Sequence, residues 1–292
     1  MLAWPNCRCI IMGGFVLDNV PECFVKELND RFRMFQINET VLPSWRIRFH
    51  SFIPNEIKLQ NYFAGSIGNY SFYKTPVSFL IFKDFDKRHI AVESSRDFSE
   101  VDIYCDNYTD DKVLQSNLFE LLRESYRYYS VKTNGILLHS SAVIFKNEAI
   151  AFFGYSGAGK STQAEFWKKT VNAKILNYDQ NYLFRVNDRF YISSTPWGGK
   201  EKYYINCTAP LKAVIMVQKS LGVFEDKVVR LGTAEAFSLL YTHNYLFPLD
   251  QETEDNFYQV LEKVVSTVPI FVLYCSYGEE SVKMLHDKVY ID

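Results

Sequence analysis

The 292-residue sequence has no excess of charge of either sign and no long basic or apolar run. Its 32 Lys and Arg residues nearly balance 34 Asp and Glu residues, which gives a net charge of −2. A chain without a basic patch lacks the electrostatic footprint of proteins that bind nucleic acid or anionic membranes. No segment reaches the roughly 18 to 20 uninterrupted apolar residues of a membrane helix. We therefore expect neither nucleic acid nor a membrane as a partner.

Cysteine is scarce and scattered. The sequence has six cysteines, and the close pair Cys7-x-Cys9 lacks the spaced second pair that a zinc site requires. The start of the sequence also shows neither a basic leader nor a small-residue cleavage site. Reduced thiols and a cytoplasmic location are the resulting expectations.

The composition is that of a globular protein, with 48% apolar and 23% charged residues. Short β-prone runs such as WRIRFHSF and VSFLIFKDF occupy residues 1–109, and helix-like patches such as PECFVKELNDRFRMF are mixed in. This pattern predicts a mostly antiparallel, β-rich N-terminal region, which we assign to residues 1–130. It carries no motif with a chemical signature, and we expect it to take part in substrate recognition.

From Asp111 onward the spacing of apolar residues changes to the period of an α-helix. Beyond residue 130 strands and helices alternate, which predicts an α/β domain over residues 131–292. Four leucines share one face of the first predicted helix: Leu114, Leu118, Leu121 and Leu122. Two strands joined by a turn at Lys146-Asn147-Glu148 come next. The later predictions are helices at 160–171, 233–245, 251–266 and 279–289, strands at 173–178, 211–218 and 269–275, and a hairpin at 181–194.

The stretch IAFFGYSGAGKSTQAEF contains the strongest motif. Residues 154–161 match G-x-x-x-x-G-K-[ST], between an apolar run and a helical pattern. Glycines let successive N–H groups converge on phosphate oxygens, and the helix start adds its positive end. Lys160 can reach the β- and γ-phosphates, and the Ser161 hydroxyl can bind Mg²⁺. The motif predicts ATP and Mg²⁺ as ligands, bound by Gly154, Ser156, Gly157, Ala158, Gly159, Lys160, Ser161 and Thr162.

Three further side chains are candidates for catalysis. Asp179 follows the predicted strand after the loop's helix, where an acid can hold Mg²⁺ or take a proton from an attacking hydroxyl. His139 lies within an apolar strand, where a lone histidine is more often a satisfied core residue. Lys200 follows Gly198 and Gly199, which permit close backbone approach to a ligand. Lys200 can offset charge on a transferring phosphoryl group, or it can belong to a solvent-exposed turn.

The order of these features resembles HPr kinase/phosphorylase. The order is a strand histidine, a GxSGxGKS loop, a strand ending in Asp and a later glycine loop with a basic residue. It resembles more closely the HPr-kinase-like proteins encoded with peptide natural-product clusters, including lasso-peptide kinases. The resemblance covers about residues 135–220. It implies a P-loop fold related to phosphoenolpyruvate carboxykinase, with Asp179 as general base, His139 orienting it and Mg²⁺ at Ser161. Family members often carry two adjacent acids where this chain has Tyr178-Asp179-Gln180.

The leading hypothesis is an ATP-dependent kinase that phosphorylates a hydroxyl, chiefly a serine of a peptide or protein. Two alternatives stay open. One is an ATP-binding regulatory module without phosphotransfer, and the other is a kinase of a small molecule such as free serine. Relatives of HPr kinase form oligomers, so the resemblance also implies a homo-oligomer, although the sequence shows no apolar surface that demands one.

Overall fold

A computed structural model describes residues 7–9, 15–35, 45–52, 56–85, 88–201, 203–220, 226–275 and 278–291. These residues form two sheets and six α-helices, so the chain is a mixed α/β protein, as the sequence predicts. Internal contacts group them into two compact units. The first unit runs to Thr133 and includes Leu246–Asn256, and the second comprises Asn134–Tyr245 and the described residues from Phe257 onward. The division into domains at residue 130 stays a prediction.

The first unit is built on one eight-stranded sheet with the order β1-β2-β3-β8-β7-β6-β5-β4. The pairs β2–β3 and β3–β8 are parallel and the other neighbouring pairs are antiparallel. The strands are β1 Cys7–Cys9, β2 Phe15–Asp18, β3 Trp45–His50, β4 Phe63–Ile67, β5 Tyr70–Lys74, β6 Ser78–Phe85, β7 Arg88–Ser95 and β8 Glu100–Cys105. Its helices are α1 Glu22–Phe32 and α2 Lys112–Lys132, with 3₁₀ turns at Arg33–Phe35 and Glu56–Tyr62.

Helix α2 begins as the sequence predicts. The Asp111 carboxylate accepts a hydrogen bond from the backbone N–H of Val113 at 2.8 Å, which satisfies one of the donors left open at a helix start. All four leucines of the predicted apolar face are buried. The 3.6-residue apolar period therefore located this helix correctly.

The second unit holds the remaining strands and helices. Its strands are β9 Gly135–Phe145, β10 Glu148–Phe153, β11 Lys174–Asn177, β12 Gln180–Val186, β13 Arg189–Ser194, β14 Thr208–Lys219, β15 Lys227–Arg230 and β16 Ile270–Cys275. Its helices are α3 Lys160–Val171, α4 Thr233–Asn244 and α6 Glu279–Tyr290, and α5 Gln251–Thr267 begins in the first unit and ends in this one. No helix in the described part of the chain is both long and apolar enough to span a bilayer.

The long strands β9 and β14 each pair with different strands of this sheet along their length. The first half of β9 pairs with β12, and its second half lies between β10 and β11. Strand β14 starts beside β13 and continues between β10 and β16. Because β10, β14 and β16 are parallel, and β10 and β11 are both antiparallel to β9, these four strands end at the same edge of the sheet. That edge is where α/β proteins place ligands.

The core beneath this edge fixes α3 and the loop before it. Trp167 of α3 is fully buried and packs against Phe145 and Phe152 of the sheet, with ring centroids at 5.8 and 6.3 Å. Helix α6 adds Leu285 to the same apolar cluster. The exposed four-residue strand β15, which the sequence did not predict, is too short for a period to show.

Candidate functional site

The loop between β10 and α3 has a backbone conformation that favours glycine at several positions. Gly154, Gly157 and Gly159 have φ values of 137°, 75° and 97°, which side chains other than glycine's rarely allow. A Cβ on Gly154 would lie 2.9 Å from the backbone oxygen of Val217 in the neighbouring strand. Glycine at 154 is therefore required both by the backbone and by the close approach of β14.

The start of α3 leaves its first N–H groups open to a ligand. Gly159 is the N-cap residue and supplies no capping side chain. Helix N-termini with uncapped donors bind anions, because the N–H groups and the helix dipole point outward. Residues from this loop that line an adjacent cavity are Ser156, Gly157, Gly159, Lys160, Ser161 and Thr162. Gly154 and Ala158 instead shape the loop, and the Ala158 N–H donates to the Tyr155 oxygen at 3.1 Å.

Lys160 is 8% exposed, and the loop itself holds its amine. Its Nζ donates to the backbone oxygens of Gly154 at 3.1 Å and Tyr155 at 3.2 Å. Burial lowers the pKa of Lys160 below its ordinary value, and the negative charge of Asp179 opposes that shift. A partly desolvated ammonium group at this position favours an anionic ligand.

His139 and Asp179 lie side by side at the same sheet edge, close enough to form an ion pair when the imidazole is protonated. The Nε2 of His139 lies 2.9 Å from Oδ1 of Asp179. The pair arises from strand pairing, because His139 of β9 is directly opposite Gln180 of β12. His139 is about half-exposed, so it is not the satisfied core residue that its apolar strand first suggests.

The position of Asp179 corrects one detail of the sequence prediction. Strand β11 ends at Asn177, so Asp179 lies in the short connection to β12 rather than at the end of a strand. Two backbone hydrogen bonds fix it: its N–H donates to Oδ1 of Asn177 at 3.0 Å, and its oxygen accepts from the Ser140 N–H at 2.8 Å. These bonds fix the Asp179 backbone, while a quarter of its side chain stays exposed.

Sequence reasoning missed the residue that organises this connection. Asn177 is fully buried, and its Nδ2 donates to the backbone oxygens of Gln180 at 2.7 Å and Thr195 at 2.9 Å. The Thr195 hydroxyl donates to the same Gln180 oxygen at 2.7 Å. A polar amide directly after an apolar pair in AKILNYD was the available signal.

The second glycine loop approaches the pair closely. Gln180 N–H donates to the Trp197 oxygen at 3.1 Å, which ties this loop to the Asp179 connection. Gly199 has a φ of 66°, and a Cβ there would lie 2.9 Å from the Cβ of Asp179. Lys200 follows in a 3₁₀ turn, exposed at the cavity wall. The loop is therefore part of the site.

All these features enclose one cavity of about 670 Å³. Besides the loop residues, it is lined by His139, Ser141, Tyr178, Asp179, Gly198, Gly199, Lys200 and Lys219. Ser141, Tyr178 and Lys219 were not predicted. The charged side chains of the lining are the three lysines 160, 200 and 219 and the single carboxylate of Asp179. This balance suits an anionic ligand, and the volume is that of ordinary ligand sites.

The site fits a nucleotide-bound magnesium ion better than a metal held by protein alone. Among the described residues, no group of three or more His, Cys, Asp or Glu side chains is placed to hold a metal ion. Mg²⁺ bound with a nucleotide needs few protein ligands, because phosphate oxygens and waters complete its octahedron. The Ser161 hydroxyl and the Asp179 carboxylate line the same cavity and supply the oxygen ligands that Mg²⁺ prefers.

Comparisons with known proteins add little to this geometry. No family model matches the sequence, and no curated protein matches it. Among solved structures, the Hpr(Ser) kinase/phosphatase from Coxiella burnetii is a weak neighbour, with a TM-score of 0.32 and 7% sequence identity over 52% of this chain and 95% of that one.

Proposed function

We propose that the protein is an ATP-dependent kinase that transfers the γ-phosphoryl group to a hydroxyl. The observation that carries this proposal is the His139–Asp179 pair, which lines the same cavity as Lys160 of the glycine loop. A P-loop alone serves many reactions. A carboxylate oriented by an imidazole, beside the phosphate-binding loop, is the arrangement that proton abstraction from an acceptor hydroxyl requires.

In the proposed reaction the acceptor oxygen forms a bond to the γ-phosphorus while the bond from that phosphorus to the β,γ-bridging oxygen breaks. The acceptor proton passes to a carboxylate oxygen of Asp179, and ADP leaves. His139 keeps the carboxylate oriented through the 2.9 Å contact between its Nε2 and Oδ1 of Asp179. Lys160 and the loop N–H groups balance charge on the phosphates. Mg²⁺, held by Ser161 and Asp179, would neutralise phosphate charge.

Lys200 supports the same chemistry from the opposite loop. It is exposed in the turn that follows Gly199, and Gly199 contacts the Asp179 connection. A cation there can stabilise charge that develops on the transferring group. We assign Lys200 this role within the proposal.

The proposed acceptor is a serine of a peptide or protein, as in the HPr-kinase-like family that the motif order resembles. Residues 1–130 are proposed to recognise that acceptor, and cytoplasmic location and homo-oligomerisation are part of the same proposal. A small-molecule acceptor such as free serine, or ATP binding without transfer, would leave the nucleotide half of the site unchanged. The acceptor therefore has to be identified by experiment.

A transfer assay separates these possibilities. The protein is incubated with Mg²⁺ and ATP labelled at the γ-phosphate, together with either a library of serine-containing peptides or free L-serine. The proposal predicts a stable phosphoester on peptides with the wild type and none with Lys160→Ala. Lys169→Ala is the matched control, because Lys169 is exposed in the last turn of the same helix. Label only on free serine would support a small-molecule kinase, and bound ATP with no transfer would contradict the kinase proposal.

A further inference from the structure

Lys219 is a cavity-lining lysine that the proposed chemistry has not yet used. It is the last residue of β14, its side chain is exposed, and it lines the cavity together with Lys160 and Asp179. It does not belong to the glycine loop, to the Asp179 connection or to the Gly199 turn. Its placement therefore adds an independent charged group to the site.

The backbone of Lys219 is firmly positioned. Strand β14 lies between two parallel neighbours, and Lys219 is in register with Cys275 of β16. The following residue continues this contact, since the Ser220 N–H donates to the Cys275 oxygen at 3.1 Å. On the other side, the Val217 oxygen is in close contact with Gly154 at the start of the loop. Lys219 thus stands on a rigid strand end beside the loop.

The chemistry of this position is unusual. Many P-loop enzymes carry a metal-binding Asp at the end of an apolar strand near the loop. Here the apolar run of residues 213–217 leads instead to Gln218 and Lys219. A lysine at that place repels a cation and attracts a phosphate, because its ammonium group is a compact positive charge with three donors.

The charge balance of the cavity also indicates that Lys219 attracts phosphate. With Lys219 the lining contains three lysines and one carboxylate, which is more positive charge than the loop lysine alone provides. A nucleoside triphosphate carries several negative charges and needs this compensation in a partly desolvated site. We propose that Lys219 is a phosphate-contacting residue that binds the terminal phosphates of the nucleotide. This inference rests on the nucleotide site of the proposed function but not on the transfer step.

The test is equilibrium binding of Mg·ATP and Mg·ADP to the full-length protein, which needs no acceptor. Lys219→Gln is expected to weaken ATP binding by about tenfold to a hundredfold, the range for a lost hydrogen bond to a charged group. Lys219→Arg should keep most of the affinity, because it retains the charge. Lys227→Gln is the matched control and should bind as the wild type does, because Lys227 is an exposed lysine of β15 in the same sheet and lies outside the cavity lining.

The losses of ATP and ADP affinity in these variants decide which phosphate Lys219 contacts. A larger loss for ATP than for ADP assigns Lys219 to the γ-phosphate, and equal losses assign it to the β-phosphate. Unchanged ATP affinity in Lys219→Gln, with strong loss in Lys160→Ala, would overturn the inference and leave the nucleotide site intact. Unchanged affinity in both variants would refute the nucleotide site itself. Circular dichroism melting curves show whether each variant is folded.

Discussion

Gly199 lies so close to Asp179 that a Cβ on Gly199 would stand 2.9 Å from the Cβ of Asp179 and 3.3 Å from its carboxyl carbon. The second glycine loop therefore limits where this carboxylate can lie. The Nε2 of His139 lies 2.9 Å from Oδ1 of the same carboxylate. His139 and Gly199, which are 60 residues apart in the sequence, therefore set the position of the candidate base.

The first prediction concerns this contact. Gly199→Ala should reduce phosphoryl transfer by roughly tenfold or more, because the added methyl group displaces Asp179, and small displacements of catalytic groups are costly. ATP affinity should change little, because the phosphate-binding loop is untouched. Transfer and ATP binding are measured on the same preparation.

Gly68→Ala is the control for backbone strain. Gly68 has a similar φ of 58°, but a Cβ there would meet no atom within 4 Å. Gly68→Ala should lower the free energy of unfolding by about 1 kcal/mol through backbone strain alone. Gly199→Ala should cost more, because the added methyl group must also displace Asp179, and only Gly199→Ala should reduce transfer. Equal transfer rates in the two variants would show that the Gly199 contact does not position the base.

The second prediction concerns alkaline pH. Burial lowers the pKa of Lys160 below its ordinary value of 10.5, so its ammonium group loses the proton at a lower pH than that of a free lysine. The affinity for ATP should therefore decline as pH rises towards that value, since the neutral amine no longer attracts phosphate. Asp179→Asn removes the charge that raises this pKa, and the decline should begin at lower pH.

Equilibrium titrations of Mg·ATP binding from neutral pH upward measure the effect. Lys160→Arg should lose the alkaline decline, because a guanidinium stays charged. A decline that keeps its position in Asp179→Asn would mean that Asp179 does not act on Lys160 electrostatically.

The sequence located the glycine loop and the helix after it because these features are local. The glycine loop, the start of α3 and Lys160 follow one another within a few residues, and their spacing has a direct physical meaning. All the predicted helices of the second unit occur, within one or two residues of their predicted ends. Apolar periods predict such elements because the same residues that set the period form the core.

The rest of the site depends on pairing between distant segments. His139 is close to Asp179 because β9 pairs with β12, and the register of that pairing has no local signal. Lys219 is close to the loop because β14 lies beside β10. More than 50 residues separate these strands in the sequence, since β10 ends at Phe153 and β14 begins at Thr208. Sequence reasoning offered His139 as one candidate beside a core reading, the family resemblance gave it a role, and neither Lys219 nor Asn177 was found.

The third prediction concerns the core beneath the loop. Trp167 is fully buried, and its indole nitrogen has no hydrogen-bond partner. Trp167→Ala should cost about 3–5 kcal/mol of unfolding free energy, as for other large buried side chains. Trp167→Phe should cost only about 1 kcal/mol, because the lost volume is partly offset by removal of an unsatisfied donor. Urea unfolding measures both values, and equal costs would contradict the prediction, because Trp167→Ala leaves a much larger void than Trp167→Phe does.

The fourth prediction concerns acid pH and the first unit. Burial alone would raise the pKa of Asp102, but hydrogen bonds and charge from Arg48 and His50 lower it below its ordinary value of 3.8. The stabilisation from this carboxylate is therefore present above that value and is lost as pH falls through the lower pKa of the folded state. Asp102→Asn should cost about 1–2 kcal/mol at neutral pH, allowing for the partial exposure of Arg48.

Unfolding in urea at a series of pH values tests this. The Asp102→Asn protein should lose less stability on acidification than the wild type does. Asp188→Asn is the control, because Asp188 is 96% exposed and its ion pair with Arg185 lies on the surface. If Asp102→Asn and the wild type lose stability in parallel as pH falls, the Arg48–Asp102 pair is not a source of acid sensitivity.

The most direct test of the proposed base is Asp179→Asn, assayed for Mg·ATP binding and for phosphoryl transfer to the acceptor identified with the wild type. Asparagine keeps the shape of the side chain but cannot take a proton. The account predicts a transfer rate lowered by about 10²- to 10⁴-fold, with Mg·ATP still bound at neutral pH but more weakly than by the wild type, because an amide is a poorer Mg²⁺ ligand than a carboxylate. Transfer at the wild-type rate with ATP still bound would contradict it.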